Sequence, residues 1–388
     1  MKILFLSQGT TIEDHIDFDV GFRNAKSGGQ RVEFRNVPYK GYAAEYGWDG
    51  FYREVLRQNE DFRPDVVFFQ FFHSGCDDRI GECCRELRSS ANAPLIFGSS
   101  GDLFNVGWMR HFGKALPRSL INLSINADAT FLTCMGDIAD FLAKRGAKNI
   151  VFVPHGFLPN SFPDWEMLPI DDKKHDITMV GSRSSMITCR PLMAAPNAYK
   201  RSCVVTMLRR RFGQAFSIFG NGWPSSISSG SISYFDQVRL FAESRAVVDS
   251  PAPLKEVYYG SDRPFFILGS GSPLVHFHTP RFEKLLRPDE HAFYCHHLRD
   301  VVPVCERIIK LPADVLAEHA RKTRRFVKGR HLLDHRIDTI VSAAEAILAH
   351  RRGESSSVEA LRAVRMHHFL PEVDLEAEYE YCTRNWVG

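Results

Sequence analysis

One glycine turn near the middle of the chain has the residue types that receive an anion. In the stretch HDITMVGSRSS, which starts at His175, an apolar run stops at Gly181 and is followed by Ser182 and Arg183. Backbone amides after a strand, with a guanidinium group nearby, suit a diphosphate. Glycine after a strand is also ordinary turn chemistry, so this turn alone predicts an anion site only weakly.

Further basic residues and a second glycine turn strengthen this prediction. The basic residues just before or at the start of the next predicted helix are Arg190, Lys200 and Arg201. The turn FGNGWP, which contains Gly220 and Asn221, follows the next strand and is expected to lie beside the first turn. A third segment, YYGSDRPFFILGSGSPLVHF, places Arg263 at the start of a short helix. The paired placement of the two turns favours a phosphate ligand.

Three polar side chains in the first half are candidate catalytic groups, of which Asp102 and His73 could accept a proton from a hydroxyl group. Asp102 follows the predicted strand at 95–97 and is the first choice for a general base. His73 also follows a strand, and a purely structural role in capping a strand-end loop is at least as good an interpretation. His155 stands at the crossing into the second half, and whether it faces the ligand stays open.

Other chemistries have weaker patterns. Four histidines on or after predicted strands could bind a metal: His276, His278, His296 and His297. They have no carboxylate or cysteine at ligand spacing, so we expect no metal site. Ser99 and Ser100 with Asp102 and His73 match a hydrolase in composition only, because GSSGD lacks the G-x-S-x-G elbow. The first strand is followed by SQGTTIEDH rather than G-x-G-x-x-G, which disfavours an oxidoreductase.

The elements that must position these residues alternate between short apolar runs and helical patterns, which is typical of parallel sheets covered by helices on both faces. The runs of the first half are KILFLS, RVEF, DVVFFQFF, PLIFG, TFLTC and IVFVPHG, with helices predicted near 48–59, 80–89 and 138–144. Those of the second half are HDITMVG, FSIFG, SISYFD, RAVVDS, PLVHFH and HAFYC, with helices near 202–212 and 265–268. We predict an α/β fold with two Rossmann-like domains facing a central cleft, and ligands beyond the carboxyl ends of the strands.

The domain boundary is predicted in PNSFPDWEMLPIDDKKHD, because a segment rich in Pro and Asp suits an exposed connection. Residues 1–165 would form the N-terminal Rossmann-like domain and 166–350 the C-terminal one. Residues 351–388 would form a helical tail, with Ser357 as a helix cap. This tail could pack back across both domains.

Composition excludes several classes of protein. The 388 residues are 44% hydrophobic and 24% charged, as in soluble globular proteins. No run approaches the roughly 18 apolar residues of a membrane span, and the N-terminus has no secretion-signal pattern, so a cytoplasmic protein is predicted. The nine cysteines lack C-x-x-C pairs, which indicates reduced thiols.

Charge gives a weaker indication of partners. The formal net charge of +3 does not mark a dedicated nucleic-acid binder. The basic runs LRRRFG and RKTRRFVKGRH are interpreted as solvated helix faces. Peripheral contact of these runs with an anionic acceptor or a membrane surface stays open.

Two long segments carry a family resemblance. SDRPFFILGSGSPLV, from Ser261, and PRFEKLLRPDEHAFYCHHLRDV, from Pro280, resemble the donor-binding segment of GT-B glycosyltransferases. The resemblance is greatest to the spore-maturation (CgeB-like) branch of the group 1 transferases, and more distant to phage DNA glucosyltransferases. It covers most of 175–345, and PHGFLPNSF, from Pro154, is similar to the family's crossover into the second domain.

The resemblance implies a donor and an acceptor. The C-terminal domain would hold a nucleotide sugar, with a UDP-sugar favoured, and the N-terminal domain a saccharide or surface-glycan acceptor. Arg183 and Arg263 would offset the charge of the leaving diphosphate, without a metal ion or organic cofactor. Phe266 stands where the family usually carries a glutamate, so either the ribose contact would come from elsewhere, with Asp262 and Glu283 as the candidates, or the donor would be an unusual one. The position of Asp102 looks like that of an aspartate in the related transferases.

Two alternatives stay open beside this prediction. The first keeps the chemistry and takes hydroxymethylated bases of DNA as the acceptor, which would require base extrusion. The second, motivated by Phe266, is a protein of the same fold that binds a nucleotide or glycan without catalysis. The sequence leaves open whether the transfer would retain or invert configuration, and it does not indicate an oligomeric state.

Overall fold

The computed structural model describes residues 1–72, 75–101, 116–162, 169, 172–183, 191–250, 256–354, 369–370 and 373–384, with the backbone alone for 191–198. The chain forms two compact units. The first unit takes the chain up to Pro154 and resumes at Leu333. The second unit is His155–Leu332.

The first unit is built on a parallel sheet. Its strands, with a short antiparallel hairpin formed by β2 and β3, are β1 (Lys2–Ser7), β2 (Lys26–Ser27), β3 (Gln30–Arg31), β4 (Glu33–Pro38), β5 (Val66–Phe69), β6 (Leu95–Ser99), β7 (Ala129–Leu132) and β8 (Ile150–Phe152). The order across the sheet is β4-β1-β5-β6-β7-β8. Successive residues Leu4, Phe5 and Leu6 are all buried, because helices cover both faces.

Among the residues that the structure describes, five helices lie between these strands in the chain. They are α1 (Ile16–Asn24), α2 (Tyr39–Phe62), α3 (Ile80–Ser89), α4 (Arg118–Asn126) and α5 (Asp137–Ala143). The prediction for 80–89 coincides with α3, while α2 begins nine residues before the predicted start at 48. A glycine with φ of 69° at Gly47 interrupts α2, so the pattern before it is not continuous with the one after it.

The second unit repeats this architecture with five strands. They are β9 (His175–Val180), β10 (Phe216–Phe219), β11 (Ser244–Val248), β12 (Leu274–Phe277) and β13 (Ala292–Cys295), all parallel, in the order β10-β9-β11-β12-β13. The helices are α6 (Pro191–Phe212), α7 (Gln237–Ala242), α8 (Arg263–Ser270), α9 (Phe282–Leu285), α10 (Val301–Ile309) and α11 (Ala313–Arg330). The predicted run SISYFD, 231–236, forms no strand and leads into α7 as a turn.

The strand order defines where a ligand can bind in the second unit. The chain passes from β9 to β10 on one side and then to β11 on the other side of β9. The carboxyl ends of β9 and β11 therefore flank a topological switch point, which is where open parallel sheets bind ligands. The residues directly after these two strands are Gly181 and Asp249.

The chain returns to the first unit through its last helices, α12 (Leu333–Arg351) and α13 (Leu375–Thr383). α12 packs on α1 so closely that a Cβ at Gly21 would lie 2.2 Å from Ile337 Cδ1. Ser27 Oγ donates to Glu345 Oε1 at 2.7 Å. These contacts make α12 part of the first unit.

The compact units end at other residues than the sequence predicts. The sequence places boundaries after residues 165 and 350, whereas the chain passes from one compact unit to the other after Pro154 and again after Leu332. Phe157 and Phe162 precede the predicted boundary but pack on Phe266 in the second unit, with ring centroids 6.3 and 4.8 Å away. α12 follows α11 after only two residues, so no Pro- or Gly-rich linker marks the second change of unit.

Two histidines of the second unit pack on aromatic rings near α11. His291 is buried, stacks on Phe326 at 3.7 Å between ring centroids, and accepts a hydrogen bond at Nδ1 from the backbone N of Arg287 at 3.1 Å. His319 lies 5.3 Å from the ring of Phe293. Burial lowers the pKa of each imidazole to about 4.

Acidification should therefore destabilise the second unit through His291. Above pH 6.5 the ring is neutral in both states, and below that pH only the unfolded chain gains the proton. The free energy of unfolding should fall as the pH drops from 6.5 to 4, by up to about 3 kcal/mol for this group. His291→Gln, which keeps an acceptor for the amide, should make the pH dependence of the thermal midpoint less steep, and the part due to His319 should remain.

The matched control is His350→Gln, which replaces an exposed histidine. It should leave the pH dependence of the wild type unchanged. An equally steep loss of thermal stability in His291→Gln and wild type would contradict the assignment to His291.

Candidate functional site

Arg201 joins the two loops at the switch point of the second sheet. It extends from α6, and its Nε donates to Ser250 Oγ at 2.7 Å. Its Nη1 donates to the carbonyl oxygen of Ser182. Ser182 lies in the loop after β9 and Ser250 in the loop after β11, so one guanidinium group connects both strand ends.

The carboxylate of Asp249 organises the other side of the site. The backbone N of Asp249 donates to Val275 O at 2.9 Å, which places the aspartate beside His276 on the neighbouring strand. Asp249 Oδ1 lies 2.8 Å from the backbone N of Ser250 and 3.2 Å from Arg263 Nη1, and both groups donate to it. Asp249 Oδ2 lies 3.1 Å from His276 Nδ1. Asp249 is 3% exposed and His276 is 2% exposed.

Electrostatics favour an anion next to these groups. Burial acts to raise the pKa of Asp249, but the hydrogen bonds from His276 and the backbone of Ser250 and the charges of Arg263 and His276 together lower it below its ordinary value, so the carboxyl is ionised at neutral pH. Since a carboxylate only accepts hydrogen bonds, His276 donates from Nδ1. The pKa of Arg201 is lowered to about 10 by burial and by the like charge of Arg263, against the opposing effect of Asp249. A bound anion would stabilise both guanidinium groups.

The two glycine turns lie side by side. The backbone N of Gly181 donates to Phe219 O and that of Arg183 donates to Asn221 O, both at 2.8 Å. Gly220 has φ of 136°, and a Cβ there would lie 2.7 Å from the carbonyl carbon of Gly181. Glycine is therefore required at this close approach.

Arg183 is exposed and extends from the first of these turns. Its guanidinium carbon lies 5.9 Å from the centroid of the Trp223 ring. The indole Nε1 of Trp223 donates to Gly181 O at 2.7 Å, so the same ring fixes the turn and lies near the guanidinium group. This contact holds a positive side chain at the carboxyl end of β9.

The two carboxylates predicted to contact ribose have partners of their own. Asp262 Oδ2 accepts a hydrogen bond from Tyr234 at 3.0 Å. Glu283 Oε2 lies 3.1 Å from His278 Nε2. Both side chains are half-buried, and their role toward a ligand stays a prediction.

Phe266 is part of an aromatic cluster. It is fully buried, and the rings around it are Phe157, Phe162 and Tyr234, with centroids 4.8–6.3 Å from its own. The position to which the family resemblance assigns a glutamate is thus occupied by apolar packing in this chain. Asp262, which directly precedes α8, is the nearest carboxylate along the sequence.

Several predicted residues cannot be placed. Asp102, His73 and Arg190 lie outside the described residues. His155 is half-buried at the first position of the second unit, close in sequence to Phe157, whose backbone N donates to His331 O at 2.7 Å. The proposed roles of these four side chains remain predictions.

Sequence reasoning missed Asp249 and Ser250 and considered His276 only as a metal ligand. The available signal was the polar pair that ends the run RAVVDS, directly after a buried strand. The described residues contain no group of three His, Cys, Asp or Glu side chains that could hold a metal ion. Within the same part of the chain, no helix is long and apolar enough to cross a membrane.

Comparison with known proteins gives the class of this fold. Residues 200–342, which contain most of the site, match the family described as Glycosyl transferase-like. No curated protein matches the chain.

Solved structures are similar over most of the chain. Alr3699/HepE of Anabaena, in complex with UDP-glucose, has a TM-score of 0.57 at 12% identity, over 90% of this chain and 100% of that one. Sucrose-phosphate synthase of Thermosynechococcus elongatus scores 0.56 at 11% identity, over 91% and 98%. The α,α-trehalose 6-phosphate synthase of Burkholderia multivorans scores 0.56 at 11% identity, over 90% and 99%. The fold is α/β with two Rossmann-like units, which is the GT-B fold.

Gly220→Ala should destabilise the second unit because the methyl group would meet the backbone of Gly181. A suitable control is Gly213→Ala, since Gly213 also has positive φ, 56°, but nothing lies within 4 Å of its Cβ position. The control should lose about 1–2 kcal/mol of unfolding free energy from backbone strain alone. Gly220→Ala should lose roughly 3 kcal/mol or more. Equal losses in urea unfolding would show that the contact between the turns adds nothing.

Proposed function

We propose that this protein is a glycosyltransferase that moves a sugar from a nucleoside-diphosphate sugar to a hydroxyl group, without a metal ion. The observation that carries the proposal is the meeting of Arg201, Arg263 and the paired glycine turns at the switch point of the second sheet. Guanidinium groups at such a position suit a diphosphate.

The second unit would hold the donor. The lowered pKa of Arg201, to about 10, means that its positive charge is costly in the absence of a ligand. A diphosphate beside Arg201 and Arg263 would remove this cost and gain charge-assisted hydrogen bonds. Arg183, which is exposed at the first turn, could add a bidentate contact to the same group.

The same guanidinium groups would assist the reaction. When the bond between the sugar and the diphosphate breaks, negative charge accumulates on the leaving phosphate. Positive groups already fixed at that position stabilise the charge in the transition state without reorganising. Arginines would thus provide the charge stabilisation that a metal ion provides in other transferases.

The identities of the donor and the acceptor have less support than the diphosphate site. The Anabaena relative in complex with UDP-glucose supports a UDP-sugar as the donor. The family resemblance favours a saccharide or surface glycan as the acceptor, held by the first unit. Asp102 is proposed as the base that accepts the proton of the attacking hydroxyl group.

Nucleotide binding without transfer is a second candidate function. The observation that favours it is the complete burial of Phe266 among aromatic rings, which removes a carboxylate from the second turn of α8. The two candidates agree on binding and differ on turnover. Binding and turnover are therefore measured separately.

A thermal-shift panel of UDP, GDP, dTDP, CDP and ADP tests the donor site without an acceptor. One nucleotide family, expected to be UDP, should stabilise the folded chain by about 2.7 kcal/mol at a hundredfold excess over its Kd. Arg183→Ala and Arg263→Ala should each reduce the shift strongly. Arg211→Ala is the matched control, because this arginine of α6 pairs with Glu306 on the surface. Absence of a shift with all five nucleotides in the wild type would refute both candidate functions.

Asp102→Asn tests the proposed base. With the donor identified by the panel and an acceptor that the wild type glycosylates, kcat should fall by about 10²–10⁴-fold while donor affinity stays within twofold. Unchanged turnover would exclude Asp102 as the base. A wild type that binds the nucleotide but transfers sugar to none of a set of oligosaccharides would favour binding without catalysis.

A further inference from the structure

We propose that Asp249 and His276 position Arg263 for the diphosphate of the donor, an inference that rests on the proposed function. Neither Asp249 nor His276 is predicted from the sequence to contact the donor. Both side chains are almost completely buried, so they act through the arginine rather than on the ligand. They would be positioning residues of the donor site.

The backbone fixes where the aspartate carboxylate lies. β11 and β12 pair in parallel, with Val248 opposite Val275, and the ladder continues through the hydrogen bond from Asp249 N to Val275 O. Asp249 and His276 are therefore neighbours on adjacent strands. His276 holds Oδ2 at 3.1 Å, and its own ring is packed against Phe282 with centroids 4.6 Å apart. Since the imidazole cannot move freely, the carboxylate plane is fixed as well.

The remaining oxygen then orients the arginine. Oδ1 accepts from Arg263 Nη1 at 3.2 Å, and Arg263 is the first residue of α8 with 23% of its side chain exposed. A long, partly exposed arginine has many rotamers, and holding it in one of them removes an entropic cost from ligand binding. The carboxylate thus prepares the guanidinium group before the ligand arrives.

Asp249 also influences the second guanidinium group. Its Oδ1 accepts from the backbone N of Ser250 at 2.8 Å, and Ser250 Oγ in turn accepts from Arg201 Nε at 2.7 Å. One buried carboxylate therefore fixes the loop that contacts Arg201 and the helix that begins with Arg263. Hydrogen bonds from residues that support a binding group without contacting the ligand commonly determine how accurately that group is placed.

Whether Asp249→Asn strengthens or weakens nucleotide binding distinguishes a positioning role of the carboxylate from a purely electrostatic effect on the ligand. If the carboxylate acted on the ligand only through its charge, its removal would leave more positive charge near the diphosphate and strengthen binding. If it positions Arg263, its removal should weaken binding although the site becomes more positive. We expect weaker binding, with the Kd of UDP, or of the panel nucleotide that binds best, rising at least tenfold.

A double-mutant cycle measured by isothermal titration calorimetry tests the coupling. Asp249→Asn and Arg263→Ala should each raise the Kd, and adding Asp249→Asn to Arg263→Ala should raise it by a much smaller factor than Asp249→Asn does in the wild type, because only the effect through Ser250 and Arg201 remains. Glu243→Gln is the matched control, since Glu243 precedes the same strand β11 and pairs with Lys174 at 2.8 Å. It should leave the Kd unchanged.

His276 provides a second variant in case Asp249→Asn folds poorly. His276→Phe removes the donor to Oδ2 and should raise the Kd several-fold. His276→Asn, whose amide can donate from a position near that of Nδ1, should restore most of the affinity. A structural defect alone would not make the Kd of His276→Phe higher than that of His276→Asn.

The outcomes distinguish this inference from the proposed function. Wild-type protein that binds none of the five nucleotides would remove both. Wild-type binding with an unchanged or lower Kd in folded Asp249→Asn would overturn the positioning role and leave the donor site intact. Additive losses in the double variant would also overturn it, because they would show that Asp249 and Arg263 act independently.

Discussion

The candidate site depends on one buried carboxylate, that of Asp249. An ionised group with 3% exposure must be compensated by hydrogen bonds and opposite charge, because its loss of hydration is costly. The compensation comes from three elements: Ser250 in the same loop, Arg263 at the start of α8, and His276 in β12. Loss of any one partner would leave charge poorly compensated, so the network constrains the loop, the helix and the strand together.

Apolar packing holds the elements that this network joins. The core of the second unit buries residues such as Ile177 and Val205 between the sheet and α6, which fixes the helix that carries Arg201. On the other side, Phe266 anchors the helix that begins with Arg263 to a cluster of aromatic rings. The arginines are therefore polar ends of elements whose positions are decided by hydrophobic burial, and the ligand chemistry is confined to the edge of the sheet.

Much of this arrangement was accessible from the sequence. Continuous apolar runs predicted the parallel strands, and the fold class is confirmed, because strands buried on both faces have no polar alternation to obscure them. The adjacency of the two glycine turns followed from strand ends that meet at one sheet edge. The domain boundaries were placed differently, since Phe157 looks like linker sequence until its contact with Phe266 is known. SISYFD has strand-forming residues but no neighbouring strand with which to pair.

The sequence alone determined most of the strands, the glycine turns that follow two of them, and the presence of arginines near these turns. These are local properties, set by side-chain periodicity and backbone freedom within a few residues. Only the tertiary structure decided that β11 lies beside β9, that Asp249 lies next to His276, and that Arg201 and Arg263 both contact the residues directly after β11. Strand order and register depend on the packing of helices distant in sequence, so no local pattern records which polar residues become neighbours.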